Sequence, residues 1–327
     1  MIKIKRISFR QAGKVWNGLY SADSSSSPYM DYDFQKIYKQ RLWFGKSRLG
    51  CKYVCLMAVD DSLPCCIIPL IKKKKDYYIA GDLCATGSLD FIYSDEMTEE
   101  KLGNIINKLV EYIGGEGHLH LNKVNQSSLL YNVISDKKLS ETVCVKICYN
   151  NDYDEYFSGL SKSVKQNIRT AKNRMTRENK EWRMEFYAGG IPSSVYKSTM
   201  EVYSKRVEER EHVESSWYVR LVRNGFNPIS IAHTKLKTSF VAILYIEGNI
   251  AGFFSGFFDA KGTAVVVPRL AIDSEYGVYC PGSILVSETI RYLIENTEVR
   301  CLDLSRGDEK YKYAMGGIEH YNVNAKL

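Results

Sequence analysis

The stretch Ala264-Val-Val-Val-Pro-Arg-Leu-Ala-Ile272, Asp273-Ser-Glu-Tyr276-Gly-Val-Tyr-Cys-Pro281-Gly282-Ser283, Ile284 to Asn296, and Cys301-Leu-Asp303-Leu-Ser-Arg-Gly307-Asp308 decides the fold. The first run is apolar and β-branched, which predicts a strand. Ile284, Leu285, Ile290, Leu293 and Ile294 recur at helical spacing over 284–296, and residues 300–304 predict a second strand. Strand, irregular loop, helix and strand make an α/β unit. Small residues at the helix start let backbone N–H groups point at an anion, reinforced by the helix dipole, so Pro281-Gly282-Ser283 reads as a pyrophosphate cradle with Tyr276 in the preceding loop. The polar residues Asp303 to Asp308, followed by Tyr311 and Lys312, end the second strand opposite that helix start. An α/β protein places chemistry there. The plainer alternatives are that Pro-Gly is only a cap and that Asp303 is a buried hydrogen-bonding residue.

Upstream, the same order of elements recurs. Residues 239–247 and 250–258 predict strands around a Gly248-Asn249 turn, and 263–272 a third after Asp259–Gly262. In the first half, residues 52–59 and 64–71 predict strands around Asp60-Asp61. Leu102, Ile105, Ile106, Leu109, Val110 and Ile113 predict an amphipathic helix over 99–113, and 118–121 a strand. Residues 2–9 predict a short strand and 31–45 a helix. The four lysines 72–75 fit a solvated hairpin tip. Two such units at a nearly constant offset predict a duplicated α/β chain with domains at 1–149 and 150–327.

Between the two repeated runs of elements lies a predicted helix from Ser161 to Arg183 with eight Lys or Arg against two Glu. Lys162, Lys165, Arg169 and Lys172 step by helical intervals into one basic stripe. It reads either as a solvated face or as a wall for a phosphate-rich ligand.

The chain has 327 residues, 45% of them apolar and 25% charged, so it can bury a sizeable core and is neither disordered nor fibrous. A net charge of +7 suits a polyanionic ligand such as a nucleotide, coenzyme A or tRNA. Nine scattered cysteines without a C-x-x-C pair argue against a zinc ribbon and for a reducing compartment. The first residues lack the apolar core of a signal peptide, and no run is long enough to span a membrane, so a cytoplasmic protein is expected. No G-x-S-x-G elbow or G-x-G-x-x-G loop is present. Gly45-Lys46-Ser47 imitates a P-loop end, but Gln40 stands where its first glycine belongs. His118 and His120 share a strand face without a third ligand, and no metal is expected.

The run Y-x-x-x-C-P-G-S-I-L, a helix, then L-D-L-S-R-G-D-E-K-Y-K resembles the CelD/BcsL-type acetyltransferases of the GNAT superfamily, which are related to the FemAB and FemX peptidyltransferases. Tyr276, Pro281, Gly282, Asp303, Gly307, Asp308, Tyr311 and Lys312 carry the likeness. Leu160 to Arg169 resembles the family's basic helix start. Residues 81–93 resemble it faintly, and the superfamily's usual Q/R-x-x-G-x-G/A loop has no literal counterpart. The resemblance implies tandem GNAT-like (FemX-like) domains, each a mixed twisted sheet flanked by helices. It implies a donor, acetyl-CoA or another acyl-CoA, held in the second domain by Tyr276, Pro281, Gly282 and Ser283. The first domain would have a degenerate donor site and serve the acceptor side, with the acceptor in the cleft between domains.

Catalysis is expected from Asp308, as base or orienter, and from Lys312, as an oxyanion or phosphate partner. Lys165, Arg169, Tyr311 and Asp303 are expected to contact substrate. The activity implied is N-acyl transfer, most simply N-acetyl transfer, to a small-molecule or carrier-linked amine. An amino sugar in surface-polysaccharide biosynthesis is the acceptor that the family suggests. Two other readings stay open: a FemX-like transferase using aminoacyl-tRNA, and a non-catalytic binding protein with a degenerate site.

Overall fold

Residues 239–258 form a near-continuous apolar run, buried on both faces and broken by a tight turn at Gly248, so this segment folds back on itself and seeds a sheet. The computed structural model describes residues 2–22, 27–42, 50–84, 86–115, 117–212, 216, 219 and 226–327. The Gly45-Lys46-Ser47 motif lies outside them, as do residues 43–45 of the helix expected over 31–45. The chain forms two compact units, Met1–Val143 with His320–Leu327, and Cys144–Glu319.

The first unit contains β1 (Lys3–Ile7), α1 (Phe9–Ala22), α2 (Tyr32–Gln40), β2 (Lys52–Asp60), β3 (Leu63–Lys73), β4 (Asp76–Ile79), β5 (Ile92–Tyr93), α3 (Glu99–Ile113), β6 (Leu119–Asn125) and α4 (Leu129–Ile134). The second contains β7 (Lys138–Cys148, from Cys144 on), α5 (Tyr153–Gly159), α6 (Lys162–Arg177), β8 (Trp182–Ala188), α7 (Ser193–Glu211), α8 (Pro228–Lys235), β9 (Ser239–Ile246), β10 (Asn249–Phe258), β11 (Ala264–Ile272), α9 (Pro281–Asn296), β12 (Cys301–Arg306) and α10 (Lys310–Ala314). The last strand, β13 (Ile318–Lys326), pairs with β6 and so returns to the first unit.

The sheets repeat one another. In the first unit the order is β1-β2-β3-β4-β6-β13, with β4 and β6 parallel and every other neighbour antiparallel. In the second it is β8-β9-β10-β11-β12-β7, with β11 and β12 parallel and the rest antiparallel. Each is a mixed sheet with a crossover helix, α3 or α9, between its parallel strands, as that connection demands. The duplication expected from the sequence is therefore present, with one exchange. The strand beside β12 comes before the second unit's other strands, whereas the strand beside β6 comes from the far end of the chain.

Alternation sorts the second unit's core onto two faces. Phe254, Ala242, Leu244, Val265 and Val267 meet α9 and α6, while Phe253, Val241, Ile243 and Ala271 meet α7. In the first unit Trp16, Tyr29, Phe34 and Tyr38 are buried, and the Trp16 indole donates to the Met30 carbonyl (2.9 Å). The four-lysine run is the β3–β4 hairpin end, with Lys74 at φ 56°. His120 stacks on Tyr78 at 4.4 Å, and no three metal-binding side chains cluster among the described residues.

The basic helix is shorter than expected. It stops at Arg177; Asn179 turns left-handed at φ 54°, and the Lys180 N–H closes on the Met175 carbonyl (2.8 Å). Trp182 then opens β8. Helices α1 and α7 are not foreseen, and the mixed polar pattern of α7 explains its omission.

His233 on α8 is fully buried, stacked on Phe257 at 4.2 Å, with Nδ1 3.0 Å from Ser239 Oγ. Burial, and then the nearby Arg269 charge, hold its imidazole well below the ordinary range. The folded ring is neutral while the unfolded chain takes up a proton below about pH 6.5. Stability is therefore present above that pH and lost as pH falls, by about 1.4 kcal/mol per pH unit while the folded ring stays neutral. Urea midpoints should decline from pH 7 to pH 5, and His233→Asn should flatten the decline. An equal slope in both proteins would remove His233 as its source.

Candidate active site

Proline within an apolar strand calls for an edge or a bulge. Pro268 sits in a bulge. Ser255 pairs with Arg269 and Phe257 with Val266, so Gly256 alone faces Val267 and Pro268. A Cβ on Gly256 would lie 2.7 Å from the Val266 carbonyl oxygen, so glycine is required at this close approach. The parallel pairing of β11 with β12 runs only from Ala264–Cys301 to Val266–Asp303 and ends at the bulge. Beyond it the two strands part. Strand β12 is itself irregular between Asp303 and Arg306, where Ser305 adopts φ 54° and donates its N–H to Asp303 Oδ1 (2.7 Å). Two bulged strands thus diverge at their carboxyl ends and leave one edge of β11 without a strand partner past Val266.

The loop after β11 leads into this opening. A 3₁₀ turn, Ser274–Tyr279, is tethered on both sides. Lys205 of α7 bridges Asp273 (3.1 Å) and Glu275 (2.6 Å), while the Tyr279 hydroxyl donates to Glu178 (2.6 Å) and Arg174 to the Val278 carbonyl (3.3 Å). Cys280, left-handed at φ 48°, starts α9 with Pro281 in its first turn. No side chain caps this start and no acidic residue stands in the first turn. The Ser283 and Ile284 N–H groups close on the Cys280 carbonyl (3.1 and 3.3 Å), whereas Ser283 Oγ makes no hydrogen bond among the described residues. A Cβ at Gly282 would meet only Ile272 at 3.8 Å, so the space there is open.

The equivalent helix of the first unit differs. Thr98 caps α3 by accepting from the Lys101 N–H, and Glu99 and Glu100 occupy its first turn. The start of α3 thus carries a cap and two negative charges that the start of α9 lacks.

At the end of β12 the expected residues separate into distinct roles. Lys312 is buried at 2% exposure. Its ammonium donates to the carbonyls of Leu304 (3.0 Å), Ser305 (3.2 Å), Arg306 (2.9 Å) and Gly307 (3.1 Å), and pairs with Glu309 (3.0 Å). Five acceptors for three protons leave none over for an oxyanion, so the side chain holds the turn between β12 and α10. Asp308 does not pair with Lys312; it is exposed and has no hydrogen-bond partner among the described residues. Tyr311 on α10 packs half-buried against the core that α9 covers, its hydroxyl without a protein partner among the described residues. Burial, with Glu309 adding, pushes its phenol well above the ordinary range, so it stays protonated. Asp303 secures the β12 bulge.

The basic stripe is tied to the second unit's own elements. Lys165 donates to the Ser158 carbonyl (2.7 Å), Arg169 lies 5.7 Å from the Phe157 ring centroid, and Lys172 pairs with Glu288 (2.5 Å) over Trp182. A cavity of ≈ 650 Å³ lined by Tyr149, Glu155, Arg300 and Cys301 opens at the amino ends of β11 and β12, the end away from Tyr311 and Pro281. Pro268 was the sequence signal for the bulge; the cage around Lys312 left no such signal.

Residues 162–313 match the acetyltransferase (GNAT) domain family, a match that supports an acyltransferase. The chain is similar in fold to the crystal structure of FemX (TM-score 0.63, 11% identity, 98% of this chain and 96% of that one). It is also similar to a conserved protein of unknown function from Bacteroides thetaiotaomicron VPI-5482 (TM-score 0.56, 14% identity, 99% of both chains). A third likeness is to a tandem GNAT protein from the clavulanic acid biosynthesis pathway (TM-score 0.51, 8% identity, 100% and 98%). No curated protein matches the chain by sequence. Among the described residues no helix is long and apolar enough to cross a membrane.

Proposed function

We propose that the second unit binds an acyl-CoA donor and transfers its acyl group to an amine. The observation that carries this reading is the parting of β11 from β12 beside an uncapped, acid-free helix start. The unpaired edge of β11 offers backbone groups to an amide-bearing arm, as a sheet edge does to an added strand. The first turn of α9, with Gly282 and Ser283, suits a pyrophosphate. Acyl-CoA held there would supply a thioester carbonyl for the amine to attack.

The residues divide the remaining work. Backbone N–H groups of β11 past the bulge stabilise negative charge developing on the carbonyl oxygen. Tyr311, protonated throughout the neutral range, gives its proton to the leaving sulfur. Asp308, open to solvent, takes the proton that the attacking amine loses. Lys312 keeps Asp308 and Tyr311 in place by fixing the turn that bears them. An amino sugar as acceptor rests on the likeness to CelD/BcsL-type enzymes.

The donor is tested by thermal unfolding of the full chain. Acetyl-CoA at one hundred times its Kd should add about 2.7 kcal/mol of stability. Gly282→Val should abolish that shift, with the apo melting temperature nearly unchanged because the added side chain meets open space. A protein unmoved by acetyl-CoA and longer acyl-CoAs, yet shifted by aminoacyl-tRNA, would replace this reading with aminoacyl transfer.

A further inference from the structure

On the sheet face that carries α7, one buried cation has no counter-ion among the described residues. Arg269 of β11 is 3% exposed. Its Nη1 donates to the Tyr196 hydroxyl (2.9 Å) and Ser230 Oγ (2.9 Å) and lies 3.4 Å from Met200 Sδ, and the guanidinium sits 5.6 Å from the Tyr203 ring centroid. All of these partners are neutral. Among the described residues no Asp or Glu pairs with Arg269, and its hydrogen bonds there are all made by Nη1, not by Nε or Nη2. Those two nitrogens form one edge of the guanidinium, with parallel N–H bonds, the edge that takes both oxygens of a carboxylate or two of a phosphate. A largely buried guanidinium held only by neutral partners is unfavourable, and an anion on that edge would relieve it.

The surroundings point the same way. Ser255 stands directly opposite Arg269 in the β10–β11 ladder, and cross-strand partners share a face. Its hydroxyl is buried with no hydrogen-bond partner, as is His233 Nε2. The His233 ring packs on Tyr196 at 5.3 Å, the same tyrosine that bonds Arg269. Arg269 is also the first residue past the bulge, on the stretch of β11 that has lost its β12 neighbour.

We propose that Arg269, with Ser255 beside it, binds an anionic group of the acceptor, a carboxylate or a phosphate, so that the amine acylated belongs to an anionic molecule. This rests on the acyltransferase reading above; the subsite itself does not. The test uses the full chain, acetyl-CoA and two matched pairs of amines: alanine with alaninamide, and glucosamine 6-phosphate with glucosamine. The anionic member of at least one pair should have a kcat/KM at least about tenfold above its neutral twin, and the responsive pair identifies the anion. Arg269→Gln should reduce that ratio about tenfold or more, the scale of a lost charge-assisted hydrogen-bond pair, and Ser255→Ala should reduce it less.

A second readout needs no turnover: millimolar inorganic phosphate or acetate should raise the melting temperature of the wild type and not of Arg269→Gln. That difference without acetyl transfer to any of the four amines would keep the subsite and count against the acyltransferase reading. Equal anion shifts in both proteins, or an anion preference unchanged by Arg269→Gln, would overturn the proposal. If Arg269→Gln fails to fold, Arg269→Lys retains the charge but not the paired edge and should show the same loss. If that also fails, Ser255→Ala decides, and an unaltered ratio and anion shift in it overturn the proposal.

Discussion

Replacing Lys312 by methionine is expected to destabilise the second unit by about 3 kcal/mol or more, because several buried carbonyls lose their shared charged donor at about 1–3 kcal/mol each. The ammonium is the common donor for four carbonyls and the Glu309 carboxylate, and methionine supplies none of those protons. The carbonyls converge because the turn bends sharply: Ser305 has φ 54° and Gly307 φ 108°, both left-handed. Without the central cation the inward-pointing oxygens repel one another. Denaturant unfolding should therefore show a lower midpoint with an unchanged slope. Arginine is too large for the cage, so Lys312→Arg should rescue little. A midpoint shift below about 0.5 kcal/mol for Lys312→Met, the usual range for a surface substitution, would show that the cage does not hold the turn. The sequence casts Lys312 as an oxyanion or phosphate partner, a role that calls for an accessible ammonium and predicts little effect on stability. Burial reverses that expectation.

Tyr311→Phe is expected to lower kcat about 10²-fold with KM for acetyl-CoA nearly constant, the scale of a lost general acid. The substitution removes one hydroxyl and keeps the ring that packs against the core, so unfolding midpoints should stay within about 0.5 kcal/mol. The pH profile separates this role from a structural one. Burial favours the neutral phenol, so Tyr311 stays a proton donor past pH 10, where an exposed tyrosine begins to ionise. The variant should regain rate with acyl thioesters whose thiol is more acidic, because a better leaving group needs less help from a proton donor. Asp308→Asn serves as the companion variant: a fall of about 10²-fold is expected if it accepts the amine proton, and solvent exposure predicts no change in stability. Activity within twofold of wild type in Tyr311→Phe, with the fold intact, would remove the phenol from the chemistry.

The basic stripe shows how a sequence pattern divides between function and packing. Spacing placed Lys165, Arg169 and Lys172 on one helical face. The structure gives them a carbonyl, a ring and a carboxylate within their own unit. A helix with Ile168, Ala171 and Met175 buried must carry its charges elsewhere, and long cationic side chains find neighbours by laying their stems along the surface.

By itself the sequence determined the strands read at 52–59, 239–247 and 250–258, each within a residue of its observed ends, the helix at 99–113 and the turns between them. In each case the apolar period and the turn residues act over a few positions, so local chemistry suffices. It also determined the duplicated order and the Pro281-Gly282 helix start. Only the tertiary structure decided which strand completes each sheet, since β13 and β7 are chosen by pairing between distant segments. It alone decided where β11 and β12 part, because that depends on the register of four strands at once. The partners of Lys312 and the unpaired edge of Arg269 belong to the same class. Whether a charged side chain is exposed, caged or waiting for an anion depends on what the rest of the chain brings within about 3 Å of it, and no window of neighbouring residues contains that information.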